Sequence, residues 1–245
     1  MIHSLPPLTK ATVINRPSKT IKSPYVADIK LEDGTEALCH SPGLGCSGLV
    51  SKGKTIYVSQ ATNKNAKTAY TAQLAELEQT FIGIHPMVSQ HVASKLLNKI
   101  ANLKWKSEVA IDAHTRLDYV GLSPSGKKTY VEVKNAMIGN TTGRAIFPDG
   151  YRKSVSESMS PRAVKHAEVL TELVTKDDTE AAYLVFIVPR NDCNGLELNK
   201  LDPIYCKAVR KALEAGVQVR VFGLRFQKDG SVEFDKEHEL IIPPC

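Results

Sequence analysis

The chain has 245 residues, with 32 lysine and arginine residues against 26 aspartate and glutamate residues, a formal net charge of +6. Its apolar fraction of 42% is typical of a folded protein and excludes intrinsic disorder as the default. Its apolar runs fall short of the roughly 20 residues that a membrane-spanning helix needs, and the start, Met1 to Pro7, lacks the apolar stretch of a secretory signal, so we expect a cytoplasmic protein that does not bind membranes.

Short alternating apolar runs, broken by turn residues, fill the chain from its start to about residue 75. They predict strands at Ala11–Ile14, Tyr25–Leu31, Glu36–His40 and Thr55–Ser59. The Asp33-Gly34 pair between the second and third runs is typical of a hairpin turn. This spacing predicts a small barrel or sandwich. Basic residues lie near its predicted turns, Lys19 among them, and three of them are candidates for contacting nucleic-acid phosphates: Lys22, Lys64 and Lys67.

The pattern changes around Phe81, and the rest of the chain alternates helical and strand-like segments. A helix is predicted over Val88–Leu103, and two more are predicted to begin at Ser160-Pro161 and Asp202-Pro203. Strands are predicted at Glu108–Ile111, Leu117–Leu122, Thr129–Val133, Ala182–Val188 and Val217–Phe222. This order predicts a mixed α/β sheet with helices on its faces, and an α+β chain as a whole. We therefore predict two domains, 1–82 and 83–245.

The five cysteines carry little functional information. They are odd in number, widely spaced and without a C-x-x-C pair. This pattern argues against a structural zinc site and against a disulfide framework.

Two neighbouring strands bring together an aspartate, a glutamate and a lysine. Because side chains alternate across a strand, Glu132 and Lys134 share one face, and Asp118 on the adjoining strand can lie beside Glu132. Two adjacent carboxylates favour a divalent cation, and oxygen ligands suit Mg²⁺ or Mn²⁺. Such an ion, with Lys134 as an aid to the attacking water, is what phosphodiester hydrolysis requires. The D-x(13)-E-x-K pattern is short, however, and a solvated Asp-Glu-Lys face on a hairpin remains the alternative.

Three further residues flank this pattern. Arg116 shares the strand face of Asp118 and could pair with it or bind phosphate. Lys165 and His166 begin the next helix; one could contact a phosphate and His166 could move a proton, unless both lie on a solvated face.

Several motifs, taken in order, resemble those of the sugar fermentation stimulation protein A family: Ser107-Glu108-Val109, Arg116-Leu117-Asp118-Tyr119, Val131-Glu132-Val133-Lys134-Asn135, Phe147-Pro148-Asp149 and Lys165-His166. The resemblance covers nearly the whole chain. The sequence departs from the family pattern at Pro42-Gly43-Leu44-Gly45, near His85-Pro86, and in the segment before Lys165.

The resemblance implies an N-terminal OB-fold barrel followed by a restriction-endonuclease-like PD-(D/E)-x-K domain, and DNA binding without strong sequence preference. It implies that Asp118, Glu132 and Lys134 are the nuclease-motif residues, with Glu108 as an additional acid and Asp118 and Glu132 as the metal ligands. A non-catalytic DNA-binding regulator on the same fold is the second hypothesis, and an enzyme acting on a small phosphate or sugar is a third. The oligomeric state is open, a dimer included.

Overall fold

The computed structural model describes residues 1–43, 46, 48–63 and 65–244. These residues form two compact units that are discontinuous along the chain. The first comprises Met1–Val92, Pro189–Asp192 and Gly223–Lys236, and the second contains the remaining described residues. The two late segments of the first unit were not part of the predicted range 1–82, and the two-domain division remains a prediction about the chain.

The first unit contains the strands β1 (His3–Ser4), β2 (Thr9–Asn15), β3 (Val26–Leu31), β4 (Glu36–His40), β5 (Thr55–Gln60), β6 (Tyr70–Leu77) and β7 (Thr80–Gly83). It includes a closed five-stranded barrel. Its strands pair in the order β4-β3-β2-β5-β6, and β4 also pairs in parallel with β6, which closes the ring. Gly34, with φ +88°, forms the predicted hairpin turn between β3 and β4. The barrel confirms the predicted OB-like architecture.

The rest of the chain contributes three α-helices among the described residues and ten further strands. The helices are α1 (Pro86–Leu96), followed by a 3₁₀ turn at Leu97–Lys99, α2 (Pro161–Val174) and α3 (Pro203–Glu214). The strands are β8 (Lys104–Ala110), β9 (Arg116–Leu122), β10 (Lys128–Asn135), β11 (Ile138–Gly139), β12 (Ala145–Phe147), β13 (Thr179–Val188), β14 (Leu196–Leu198), β15 (Gln218–Phe226), β16 (Ser231–Glu237) and β17 (Leu240–Ile241).

The main sheet of the second unit has the strand order β15-β13-β10-β9-β8. The central pair β10 and β13 is parallel, whereas β9 is antiparallel to both β10 and β8. This confirms the predicted mixed sheet and leaves β8 at its edge. A separate small sheet has the order β11-β12-β14-β17.

Helices α2 and α3 pack on the sheet over a common apolar core. Leu184 and Phe186 of β13 and Tyr205 of α3 are fully buried in it. On α2, Ala167 and Leu170 are buried, whereas Val164 and Val174 are only half-buried. Among the described residues, no helix has both the length and the apolar character needed to cross a bilayer.

Candidate active site

The pairing of β9 with β10 positions the acidic residues. Val131 lies opposite Tyr119 and Tyr130 lies opposite Val120, so the next pair in this register is Glu132 and Asp118. The Asp118 carboxylate accepts a hydrogen bond from the backbone N–H of Val133 at 2.7 Å. Strand alternation therefore brings both carboxylates to one face of the sheet, as the spacing predicts.

Glu132 is the buried hub of the site, with 3% of its surface exposed. One carboxylate oxygen, Oε1, pairs with both Lys134 Nζ and His166 Nδ1. His166 comes from the second turn of α2 and is also buried, and its Nδ1 lies 3.2 Å from Lys134 Nζ. The solvated helix face considered for His166 is therefore wrong. The site is a four-residue centre of Asp118, Glu132, Lys134 and His166.

The pKa values of the two carboxylates are shifted in opposite directions. Burial and the neighbouring charge of Glu132 raise the pKa of Asp118 to about 6. Burial would also raise the pKa of Glu132, but the hydrogen bonds and positive charges of His166 and Lys134 outweigh it and lower that pKa. Glu132 is therefore held ionised, whereas the Asp118 carboxylate is the more readily protonated of the two.

Two buried oxygen atoms at the centre have no hydrogen-bond partner within the described residues: Glu132 Oε2 and the hydroxyl of Tyr205. Burial and the Glu132 charge raise the pKa of Tyr205 well above its usual value. An unsatisfied carboxylate oxygen beside a second carboxylate fits a cation. However, no three His, Cys, Asp or Glu side chains of the described part are arranged to hold a metal ion. The donor set therefore suits an ion such as Mg²⁺, which binds one or two carboxylates and keeps several waters.

A cavity of about 620 Å³ adjoins this centre and is lined by His166. Three cationic side chains line it, Arg116, Arg162 and Lys165, against the single carboxylate of Asp112. We call it the cationic cavity. Such a charge excess attracts polyanions. Arg162 was not among the predicted site residues, although its position one helical turn before Lys165 and His166 could have indicated it.

The remaining predicted residues lie elsewhere. Glu108 is exposed at φ +51°, its carbonyl accepts a hydrogen bond from Arg116 at 3.1 Å, and its charge contributes weakly to the raised pKa of Asp118. Lys22 and Lys67 are exposed on the first unit. Lys64 lies outside the described residues.

Fold and site together define an α+β protein that combines a closed five-stranded barrel with a mixed-sheet unit carrying a buried Asp-Glu-Lys-His centre. Residues 25–84 match the SfsA N-terminal OB domain, and residues 84–230 match the sugar fermentation stimulation protein RE domain. The chain belongs to the sugar fermentation stimulation protein family.

Relatives and a solved structure agree with this membership. The sugar fermentation stimulation protein homolog of Thioalkalivibrio sulfidiphilus is 32% identical over 238 residues, 93% of each chain. The homolog of Rhodospirillum centenum is 30% identical over 91% of this chain and 93% of its own. The structure of Pyrococcus furiosus SfsA in complex with Ca²⁺ superposes with a TM-score of 0.81 at 21% identity, covering 98% of this chain and 99% of the other. That likeness establishes the fold.

Proposed function

We propose that the chain is a DNA-binding protein with a Mg²⁺- or Mn²⁺-dependent phosphodiesterase centre. The observation that carries the proposal is the convergence of Asp118, Glu132 and Lys134 beside a cavity lined by three cations. The Ca²⁺ in the Pyrococcus furiosus structure supports a divalent cation in this family. What such an ion would supply is positive charge beside a scissile phosphate and an acidified water molecule.

The protein residues then have separate tasks. Asp118 and Glu132 would hold the ion. Glu132 Oε2 accepts no hydrogen bond within the described residues, so ion binding at this oxygen would break none. Lys134 would donate to the attacking water or to the developing phosphate charge. Arg116, Arg162 and Lys165 would hold the phosphates on either side of the scissile bond, with the exposed Lys22 and Lys67 of the barrel adding non-specific contacts.

The direct test is cleavage of plasmid and oligonucleotide DNA with Mg²⁺ or Mn²⁺. Wild-type protein should cleave, and Glu132→Ala and Lys134→Ala should each lose at least about a hundredfold in rate, the usual effect of removing a group that stabilises the transition state. Glu168→Ala, an exposed glutamate on α2, is the matched control. Equal rates in all four proteins would remove the assignment.

A non-catalytic DNA-binding role is the second candidate, and one observation favours it. Lys134 and His166 already contact Glu132 within the protein, so this carboxylate has polar partners without a metal ion. This role predicts salt-sensitive DNA binding with no turnover in any metal. Gel-shift titrations beside the cleavage assay separate the two candidates.

A further inference from the structure

A second and larger cavity lies on the same unit, with a volume of about 840 Å³. Four lysines line it, Lys104, Lys106, Lys128 and Lys176, against one carboxylate, Asp178. Asp178 is paired with Lys128 at 2.8 Å, so three lysines remain in excess. We call this cavity the lysine groove. Like the cationic cavity, it has an excess of positive charge.

The lysine groove adjoins the cationic cavity. Ala110, at the end of β8, lines both. Arg162 and Lys165 lie in the first half of α2, whereas Leu173 in its last turn and Lys176 just after it line the lysine groove. Residues that line the two cavities therefore follow α2 from Arg162 to Leu173, roughly 16 Å at 1.5 Å per residue.

The floor of the lysine groove is apolar. Val120, Leu122 and Tyr130 line it, and Leu122 is 56% exposed. A duplex presents its phosphates but keeps its bases stacked inside, so its bases would not contact this apolar lining. A single strand presents phosphates and unstacked bases together, and bases pack on apolar and aromatic side chains.

We propose that the lysine groove binds a single strand of nucleic acid and leads it to the Asp118-Glu132 centre. Delivery of the strand to the acidic centre rests on the proposed function, whereas binding of the strand in the lysine groove does not require cleavage. Lys104 and Lys106 contact phosphates and Leu122 contacts a base. The occupant of the lysine groove is therefore a single strand of nucleic acid, either free or as the single-stranded extension of a duplex.

The test is fluorescence anisotropy of labelled dT₁₂ and of a 12-base-pair duplex, in EDTA so that no cleavage occurs, over a salt series. The double variant Lys104→Gln/Lys106→Gln should weaken dT₁₂ binding about tenfold and flatten the slope of log affinity against log salt by about 1.4, at about 0.7 per phosphate contact. Leu122→Ser should weaken dT₁₂ binding without changing that slope. Lys207→Gln/Lys211→Gln, two exposed lysines of α3, is the matched control and should change neither quantity.

Three outcomes would overturn the inference. Equal losses for the duplex, with Leu122→Ser silent, would identify a duplex as the occupant. Equal losses in the α3 control would show a general charge effect. Unchanged binding with increased self-association would show that Lys104 and Lys106 only protect the edge strand β8. Failure of the proposed function appears separately, as an absence of cleavage by wild-type protein with metal.

Discussion

Asp118 and Glu132 are neighbours, and Glu132 Oε1 contacts both Lys134 Nζ and His166 Nδ1. Asp118 has a pKa of about 6 in the folded chain and an ordinary value of 3.8. Below pH 3.8 it is protonated in both the folded and unfolded states; between pH 3.8 and 6 the unfolded state ionises first, so stability falls and then stays low above pH 6. The ionised Asp118 therefore destabilises the metal-free protein at neutral pH.

Asp118→Asn is expected to stabilise the metal-free protein. The amide oxygen can still accept from Val133, while the carboxylate repulsion disappears, so the free energy of unfolding should rise by up to about 3 kcal/mol at pH 8. Urea unfolding in EDTA at pH 4 and pH 8 measures this. A loss of stability at pH 8, or the same gain at pH 4, would contradict the account. The same variant should lose cleavage.

Glu132→Gln should have the opposite effect. It leaves the half-buried Lys134 without its counter-charge and replaces the carboxylate that His166 Nδ1 contacts, and breaking a buried ion pair costs about 3 kcal/mol or more. The control is Glu168→Gln, the same substitution at an exposed position of α2. If the two variants unfold at the same urea concentration, Glu132 is not the hub that the contacts indicate.

The sequence was sufficient to predict the site residues that share strands and insufficient for those that come from elsewhere. The period of two along β10 places Glu132 and Lys134 on one face. The contact between His166 and Glu132 depends on how α2 packs on the sheet, which the period of a helix does not specify. Tyr205, from α3, was not predicted for the same reason.

At the scale of elements, α3 depends on its N-terminal cap. Asp202 is fully buried, accepts from the backbone N–H of Tyr205 at 3.1 Å, and also accepts from Ser158 Oγ at 2.6 Å. Asp202→Ala should lower the free energy of unfolding by about 2–4 kcal/mol, from the lost cap and the unsatisfied Ser158 hydroxyl. Urea unfolding measures it, with Asp112→Ala as the control, because Asp112 is an exposed aspartate that accepts from the backbone N–H of His114 at 2.6 Å. Equal midpoints would refute the capping role.

Most strands with alternating patterns and the two helices with proline starts were predicted. However, β8 begins four residues before the predicted Glu108, and the short strands β11, β12, β14 and β17 were not predicted, nor was β6. The strand β6 has the sequence YTAQLAEL, rich in helix-forming residues, and pairing with β5 and β7 overrides that preference. The helix predicted to reach Leu103 ends at Leu96 with a 3₁₀ turn, because β8 begins at Lys104 and needs an extended approach.

At the scale of the whole molecule, the net charge of +6 predicts a DNA-binding surface only when the basic residues that form it are identified. Arg162→Gln/Lys165→Gln should lower affinity for duplex DNA and flatten the salt slope by up to about 1.8, at about 0.9 per phosphate. Lys22→Gln/Lys67→Gln should do the same if the barrel also contacts DNA. The α3 pair Lys207→Gln/Lys211→Gln again serves as control. If the salt slope is unchanged in all three double variants, or changes equally in all three, the proposal that DNA binds at a particular basic surface is contradicted.

The discontinuous units could not be predicted from local patterns. Gly223–Lys236 belongs to the first unit although it follows the last helix of the second. Its place in the first unit depends on contacts between residues far apart in the sequence, whereas composition and periodicity describe only residues that are close along the chain.

The binding of a divalent ion by Asp118 and Glu132 is best tested by anomalous scattering from a crystal soaked in Mn²⁺. The predicted result is a peak within bonding distance of both carboxylates, absent in crystals of Glu132→Ala. A clean map with no peak there, in a crystal that binds Mn²⁺ at other carboxylates, would contradict it.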